Sequence, residues 1–363
     1  MSPGSVRQKF AIIAKSCFLS EIRCINHNYR MTPTDSIQSS FLEQLRGKMG
    51  PNLSFVDELA ELLNISRDSA YRRIRGETIL SLDEVAVLTK HFGVSLDDFL
   101  MPSDERVSFQ IKALNVIHIS VEKWFAAIIG TLEMIKGFPA HEKELTYDAK
   151  DLPIFHFFQF PRLATFKIYF WMRTFGRDEK LGAKKYNPDV IDNKLISMSE
   201  KIWEMYANIP SVEIIGYEIL TVTLRQIEYA YECGMFSDKQ DAYNLFDDCS
   251  MLATHLQHQA ELGSKQTYGS AKPGAKLDVY LNDVLIGANT FFCKLDSKRM
   301  TFLTPNVFNL MMTSHDHFCD ITQDHIANMI EKSILISVKA EKERNKFFNR
   351  VEENIQRAKS RIV

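Results

Sequence analysis

The feature that most constrains the fold is a run of three short helical segments between residues 54 and 93, each with a defined start and stop. A serine precedes each segment, and serine is a preferred N-cap because its hydroxyl accepts a hydrogen bond from a free backbone N–H. An asparagine or a glycine, which tolerate the left-handed conformation, follows each segment. The starts are Ser54, Ser66 and Ser81, and the stops are Asn64, Gly76 and Gly93. Helices this short depend on tertiary packing, so they predict a compact all-α domain.

Two further helices complete the predicted domain. In PTDSIQSSFLEQLRGKM, Ile37, Phe41 and Leu45 follow one another at intervals of four, the spacing of one helix face, and Gly50-Pro51 breaks the helix. The segment VSLDDFL, residues 94–100, predicts a short fifth helix, and residues 101–103 form a boundary. We therefore expect a five-helix domain over residues 37–101.

The remaining residues, 104–363, predict a larger, mainly helical domain with a small antiparallel β-sheet. Alternating apolar residues predict strands in RVSFQIKAL, KELTYDAKDLPI and two longer segments, residues 277–296 and 298–314. Helices are predicted near the start of this part and over residues 161–175, 193–209, 211–234 and 237–263. A polar loop is predicted over residues 264–276, and a long helix from about Gln323 to the end.

Composition excludes some classes of protein. The 363 residues carry a formal net charge of -2, so no overall field draws the chain to nucleic acid or to an anionic membrane. No apolar run approaches the ~18 residues of a membrane helix, and the six cysteines form no Cys-x-x-Cys pair. We expect a cytoplasmic protein with reduced thiols and no membrane partner. Residues 1–36 predict a poorly ordered extension or a start-site artefact, with Met31 as the alternative start to Met1.

Several features of residues 37–101 recur in a fixed order. They are Leu59-Ala60 in the second helix, Asn64-Ile65-Ser66 in the turn, Gly76 after the third helix, Phe92-Gly93-Val94-Ser95 after the fourth and Leu96-Asp97 in the fifth. In this combination the domain resembles the Cro and Xre type of helix-turn-helix domain, over less than a fifth of the chain. It departs from the family at Asn64, where glycine is usual, and at Ile74, where glutamate is usual.

The resemblance implies that the helix over residues 66–75 enters the DNA major groove. Ala70 and Ile74, four residues apart, are expected to anchor it to the domain core. Arg67 is expected to donate two parallel hydrogen bonds to guanine, and Arg72 faces the same way one turn later. Asp68 accepts from cytosine or, as we favour, orients Arg72 through an i,i+4 pair. The predicted DNA-binding residues are Ser66, Arg67, Asp68, Ser69, Tyr71, Arg72 and Arg75.

Other polar groups suit the phosphate backbone. Arg73 and Arg75 are predicted to contact phosphates, and so are the N-terminal ends of the helices capped by Ser54 and Ser81. Tyr71 packs on a thymine methyl group or reaches a phosphate. Contacts of this kind position a protein on DNA without reading its sequence.

The charge of this domain leaves two other interpretations open. Residues 37–100 contain seven basic and ten acidic residues, a net charge of -3, so the domain lacks the usual basic footprint of a DNA-binding module. The arginines then form a solvated helix face, or the domain is a protein-interaction module that keeps the fold without reading DNA. If it does read DNA, we expect a homodimer on double-stranded DNA, because paired half-sites restore affinity.

Two histidine pairs are candidate metal ligands. His315 and His317 lie close to Cys319, but a polar loop is the favoured interpretation. His255 and His258 lie three residues apart on a predicted helix, where a solvated face is favoured. The sequence has no nucleophile-and-base spacing, Gly-rich phosphate loop or paired-carboxylate motif, so we expect no enzyme and no cofactor. A metal-dependent activity in the C-terminal domain is the alternative.

Two apolar patterns bear on association. The aromatic segment PIFHFFQFPRLATFKIYFWM predicts buried core, a subunit interface or a cavity for a small apolar effector. A stripe near the C-terminus predicts a dimer seam or packing against its own domain: Phe347, Val351, Ile355, Ala358 and Ile362. Together the patterns predict a DNA-binding transcriptional regulator whose C-terminal domain dimerises and has a possible small-molecule or protein effector.

Overall fold

The computed structural model describes residues 37–47, 49, 54–94, 96, 106–111, 120–139, 141, 143–175, 183–283, 289–296, 298–306 and 308–362. The chain divides into two compact units, an N-terminal unit, Met1–Pro102, and a C-terminal unit, Ser103–Val363. The predicted extension over residues 1–36, with the question of Met31, and most of the predicted fifth helix lie outside the described residues.

The described part of the N-terminal unit contains four of the five predicted helices. They are α1 (Ile37–Gly47), α2 (Phe55–Leu63), α3 (Arg67–Ile74) and α4 (Leu82–Phe92). The hydroxyls of Ser54, Ser66 and Ser81 each accept a hydrogen bond from a backbone N–H in the first turn. Asn64 and Gly93 cap α2 and α4 in the left-handed conformation, with φ of 51° and 61°. The predicted caps therefore do delimit these helices.

The C-terminal unit is mainly helical, as predicted. Its described helices are α5 (Val121–Lys136), α6 (Ile154–Phe157), α7 (Pro161–Thr174), α8 (Asn193–Ala207), α9 (Thr221–Glu232), α10 (Lys239–Leu262), α11 (Asp316–Glu331) and α12 (Glu341–Lys359). Its described strands are β1 (Gln110–Ile111), β2 (Lys143–Ala149), β3 (Ser211–Ile215), β4 (Ser264–Gln266), β5 (Pro273–Leu281), β6 (Thr290–Leu295), β7 (Lys298–Asn306), β8 (Asn309–Thr313) and β9 (Ile334–Leu335).

The β-sheet is larger than predicted, and it is mixed. Its strand order is β1-β8-β7-β6-β2-β3-β5-β4, and β9 also pairs with β5. Strand β3 is an interior strand and pairs in parallel with both β2 and β5, whereas the other pairs are antiparallel. The prediction of a small antiparallel sheet is wrong because the first residues of the helix predicted over 211–234 form the strand β3. All five residues of β3 are buried, so the alternation that marks a half-buried strand is absent.

The C-terminal region also departs from the prediction. The single helix expected from Gln323 is two helices, α11 and α12, separated by β9. The predicted polar loop over residues 264–276 contains β4 and the start of β5. His315 and the following residues are not a loop, because the His315 side chain caps α11. Pairing with β5 draws β4 and β9 into the sheet, and local composition does not report such pairing.

The apolar patterns are buried within the C-terminal unit. Helix α7 contains a run of buried residues from Leu163 to Met172, including Phe166 and Trp171, and Phe155 and Phe157 of α6 are buried as well. The stripe on α12 and the turn after it packs inside this unit: Phe347, Val351, Ile355, Ala358 and Ile362 are buried in its main core. Of the two interpretations of the stripe, packing against its own domain is therefore the one observed.

Two further findings concern particular residues. His255 is buried, not solvated, and its Nε2 lies 2.7 Å from the carbonyl oxygen of Gln266, whereas His258 is exposed. The cysteines among the described residues, Cys233, Cys249, Cys293 and Cys319, are free thiols. No helix in the described part of the chain combines the length and the apolar character needed to span a membrane.

Candidate nucleic-acid interface

Helix α3 is anchored to the N-terminal unit by its apolar residues. Ala70 is fully buried beside Leu59 of α2, and Ile74 packs against the same core. The Ser66 hydroxyl accepts a hydrogen bond from the Ser69 N–H at 3.2 Å, which fixes the start of the helix. The short turn from Asn64 to Ser66 therefore holds α3 against α2.

The opposite face of α3 displays most of the predicted DNA-binding side chains. The side chains of Arg67 and Arg72 are 71% and 57% exposed, so both are accessible to a ligand. Ser69 is half-buried, and its hydroxyl lies 3.0 Å from the hydroxyl of the N-cap Ser66. The exposed members of the predicted set are Ser66, Arg67, Asp68, Tyr71, Arg72 and Arg75.

The exposed arginines contact acidic neighbours. Arg67 donates from two guanidinium nitrogens to both carboxylate oxygens of Asp57 on α2, and this lowers the pKa of Asp57, with a smaller contribution from Ser54. Arg72 and Arg75 lie 3.6 Å and 3.0 Å from the carboxylate of Glu77. Ion pairs at exposed sites are weak, so these arginines can exchange a carboxylate for a phosphate or a base.

Arg72 does not pair with Asp68, the partner that we favoured. Glu77 follows Gly76, whose φ of 74° turns the chain back towards the helix. The Glu77 N–H donates to the Arg72 carbonyl oxygen at 2.8 Å, and this places the two side chains together. Asp68 remains exposed in the first turn of α3, where its charge favours the helix N-terminus.

Arg73 is a structural residue, which corrects its predicted role as a phosphate contact. Its side chain is only 16% exposed and lies 2.7 Å from Glu84 on α4. It also donates to the Ser69 carbonyl oxygen at 3.2 Å. Burial acts to raise the pKa of Glu84, but hydrogen bonds from Arg73 and Ser81 outweigh it and hold the pKa below its usual value. Arg73 therefore joins α3 to α4.

Gln38 is a positioning residue that sequence reasoning missed. Its amide nitrogen donates to the carbonyl oxygens of Arg73 and Thr78, at 2.8 Å and 2.9 Å. Its amide oxygen accepts from the Leu80 N–H at 2.9 Å. One side chain of α1 thus satisfies three backbone groups, one in the last turn of α3 and two in the segment that leads to α4. A single glutamine on a helix surface gives no sequence signal for contacts 35 to 42 residues away.

We expect Gln38→Ala to destabilise α3 and the segment between α3 and α4. Three half-buried backbone groups lose their partner, which is expected to cost about 2 kcal/mol in the local stability of residues 66–80. Hydrogen-exchange mass spectrometry on this segment measures the change. Gln44→Ala, an exposed position on the same helix, is the matched control. Unchanged exchange in Gln38→Ala would contradict the role given to this side chain.

The comparisons with known proteins concern this part of the chain. A helix-turn-helix family model matches residues 51–99. This segment is a helix-turn-helix domain. The match confirms the family predicted from the sequence, and it covers α2, α3 and α4. Searches of curated proteins and of solved structures gave no significant match to the chain.

In the helix-turn-helix domain, α2 and α3 are the two helices that give the motif its name. In DNA-binding members of this class the second helix lies in the major groove and the first crosses the backbone. Here the second helix is α3, whose exposed face carries Arg67 and Arg72. No group of three or more potential metal-ligating side chains was found among the described residues, those around His315 included.

Proposed function

We propose that the protein is a sequence-specific DNA-binding transcriptional regulator that reads the major groove with the helix over residues 66–75. The observation that carries the proposal is the exposure of Arg67 and Arg72 on the outer face of α3, within a helix-turn-helix domain. A base reader needs guanidinium groups that project from this helix and that no buried partner retains.

Four exposed side chains on α3 and directly after it have a chemical role in this proposal. Arg67 and Arg72 donate to the O6 and N7 atoms of guanine. Tyr71 packs on a thymine methyl group or donates to a phosphate, and Arg75 contacts the backbone at the end of the helix. The N-terminal turn of α2, capped by Ser54, offers free N–H groups to a second phosphate.

We further propose that the protein acts as a cytoplasmic homodimer and by binding, without catalysis. The net charge of -3 over residues 37–100 makes one domain a weak ligand for DNA. Two domains on paired half-sites add their contacts and restore affinity. The C-terminal unit then supplies association and a site for an effector.

The test is a binding-site selection with the full chain on random duplex DNA, followed by footprinting of the selected sequence. We expect Arg67→Ala and Arg72→Ala each to weaken binding to that sequence by about 5- to 150-fold, the range for loss of a bidentate base contact. Arg46→Ala, an exposed arginine on α1, is the matched control and is expected to change binding little. The spacing of the footprint reports whether two half-sites are bound.

Two results would contradict the proposal. One is that no sequence is enriched by the folded protein at low salt. The other is that Arg67→Ala and Arg72→Ala weaken binding no more than Arg46→Ala does, because contacts would then not come from α3.

A second candidate function is a protein-interaction module. Ile79 lies between α3 and α4, and Leu82 is the first residue of α4. Their side chains are 84% and 79% exposed, and exposed apolar side chains of this kind favour protein contacts. Asp57 and Glu77 also offset the charge of the α3 arginines. If this candidate is correct, Ile79→Ser with Leu82→Ser abolishes partner capture, and the selection on DNA enriches nothing.

A further inference from the structure

The C-terminal unit contains a cavity of about 450 Å³, a volume typical of sites for small molecules. Helices α5 and α7 and strands β2, β6 and β7 contribute to its wall, which is mostly apolar and aromatic. Representative lining residues are Trp124, Leu132, Tyr147, Phe155, Trp171 and Phe308. The aromatic segment of the sequence thus forms core and also part of a cavity, two of the alternatives that the sequence left open.

One basic side chain in this wall is buried. Lys167 on α7 lines the cavity and is only 1% exposed. Its Nζ donates to Gln226 Oε1 at 3.0 Å and lies 4.5 Å and 5.5 Å from the ring centroids of Phe157 and Trp171. Within the described part of the chain, no carboxylate oxygen lies within 4 Å of this ammonium.

A buried ammonium of this kind is incompletely compensated. Burial lowers the pKa of Lys167, while Asp151 and Cys249 act weakly in the opposite direction. Aromatic faces and one amide oxygen replace only part of the hydration that the charge has lost. An anionic group within the cavity would supply the missing partner and satisfy N–H groups that Gln226 does not reach.

The cavity reaches the surface. Its lining includes the exposed side chains of Lys150 and Val222, so a molecule has a route in from solvent. The lining contains two basic side chains, Lys150 and Lys167, and one acidic side chain, Asp151. Since Asp151 offsets Lys150, the preference for an anion over a cation of the same shape comes from Lys167 in the interior.

We propose that this cavity binds an amphipathic monocarboxylate, with its apolar tail among the aromatic side chains and its carboxylate on the Nζ of Lys167. The apolar wall selects a tail of several carbons, and the single buried cation selects one anionic head. The binding site stands independently of DNA recognition, whereas its role as the effector site of a regulator rests on the function proposed above.

The test is isothermal titration calorimetry on the full chain without DNA, with octanoate, 1-octanol and octylammonium as probes. We expect saturable binding of octanoate, weaker binding of octanol and weakest binding of octylammonium. Lys167→Met is expected to weaken the binding of octanoate at least tenfold and to change the binding of octanol less than threefold. Lys123→Met, an exposed lysine on α5 outside the cavity, is the matched control.

A second variant tests the location. Ala127 lines the cavity, so the larger side chain of Ala127→Phe fills it. This variant is expected to weaken the binding of both octanoate and octanol. The proposal is overturned if octanoate does not bind saturably to the folded protein, if octanol binds as tightly as octanoate, or if folded Lys167→Met binds octanoate unchanged. Because DNA is absent, failure here is distinguishable from failure of DNA recognition. If Lys167→Met does not fold, the order of the three probes and Ala127→Phe decide the matter.

Discussion

Replacing Glu213 with alanine is expected to lower the free energy of unfolding of the C-terminal unit by about 3–5 kcal/mol, the range for breaking a buried ion pair. Glu213 lies in the centre of the sheet, on β3, and is 2% exposed. Its carboxylate is 2.9 Å from His156 Nε2 and accepts a hydrogen bond from the Tyr206 hydroxyl at 2.5 Å. Alanine would leave both of these buried groups without their partner.

The charge state of Glu213 supports this expectation. Burial acts to raise its pKa, but His156, Lys265 and the Tyr206 hydroxyl outweigh burial and hold the pKa below its usual value. The carboxylate is therefore ionised at neutral pH, and its removal takes away the negative charge that acts to raise the pKa of the buried Lys265. His156 Nδ1 has no hydrogen-bond partner among the described groups, so the interaction of this ring with Glu213 is through Nε2.

Tryptophan fluorescence during urea unfolding measures this effect. The three tryptophans, Trp124, Trp171 and Trp203, all lie in the C-terminal unit, so the signal reports that unit alone. Glu213→Gln keeps the shape of the side chain and one hydrogen-bond acceptor, so it is expected to lose less stability than Glu213→Ala. Glu218→Ala, an exposed glutamate three residues past β3, is the matched control. Equal stability of Glu213→Ala and Glu218→Ala would contradict the stabilising role given to the contacts of Glu213.

Replacing Lys265 with methionine is expected to destabilise the same unit by about 3 kcal/mol at pH 7, because buried acceptors lose their donor. Lys265 Nζ donates to the carbonyl oxygens of Tyr206 and Ile209, at 3.0 Å and 2.6 Å, and to Ser211 Oγ at 2.6 Å. It also lies 3.5 Å from the centroid of the Tyr206 ring. Methionine matches the length of the chain but offers no donor.

The loss of stability in Lys265→Met, relative to the wild type, is expected to grow with pH. Burial lowers the pKa of Lys265 to about 7, although Glu213 acts to raise it, whereas an unfolded lysine titrates near 10.4. Between these values the unfolded chain holds a proton that the folded chain has released, so the stability of the wild type rises with pH. Lys265→Met has no group at this position to release the proton, so its stability does not rise in this way. The difference in free energy of unfolding between the wild type and the variant should increase by about 2 kcal/mol from pH 7 to 9.

Urea unfolding at several pH values tests this second expectation. Lys272→Met, an exposed lysine in the turn before β5, is the matched control, and its stability should follow the wild type at every pH. If Lys265→Met also runs parallel to the wild type, the folded protein keeps the proton on Lys265 up to the pH at which the unfolded chain loses it. The hydrogen bonds and Glu213 would then outweigh burial.

Local sequence determined the helices of the N-terminal unit. Capping by Ser54, Ser66 and Ser81 involves hydroxyls and N–H groups within the first turn that follows, so a short segment specifies each helix start. The left-handed stops at Asn64 and Gly93 are equally local. The helix-turn-helix family and the outward placement of Arg67 and Arg72 followed from the same information.

Only the tertiary structure decided which partners the side chains meet. Arg73 and Arg75 look alike in the sequence, yet Arg73 is held against Glu84 and Arg75 is exposed. Strand β3 exists because β2 and β5 pair with it on either side. Lys167 meets the cavity because α7 packs against distant segments of the chain, among them Gln226, which lies 59 positions from Lys167. Caps and turns depend on neighbours in the chain, whereas strand pairing, burial and cavities depend on distant segments that local periodicity does not encode.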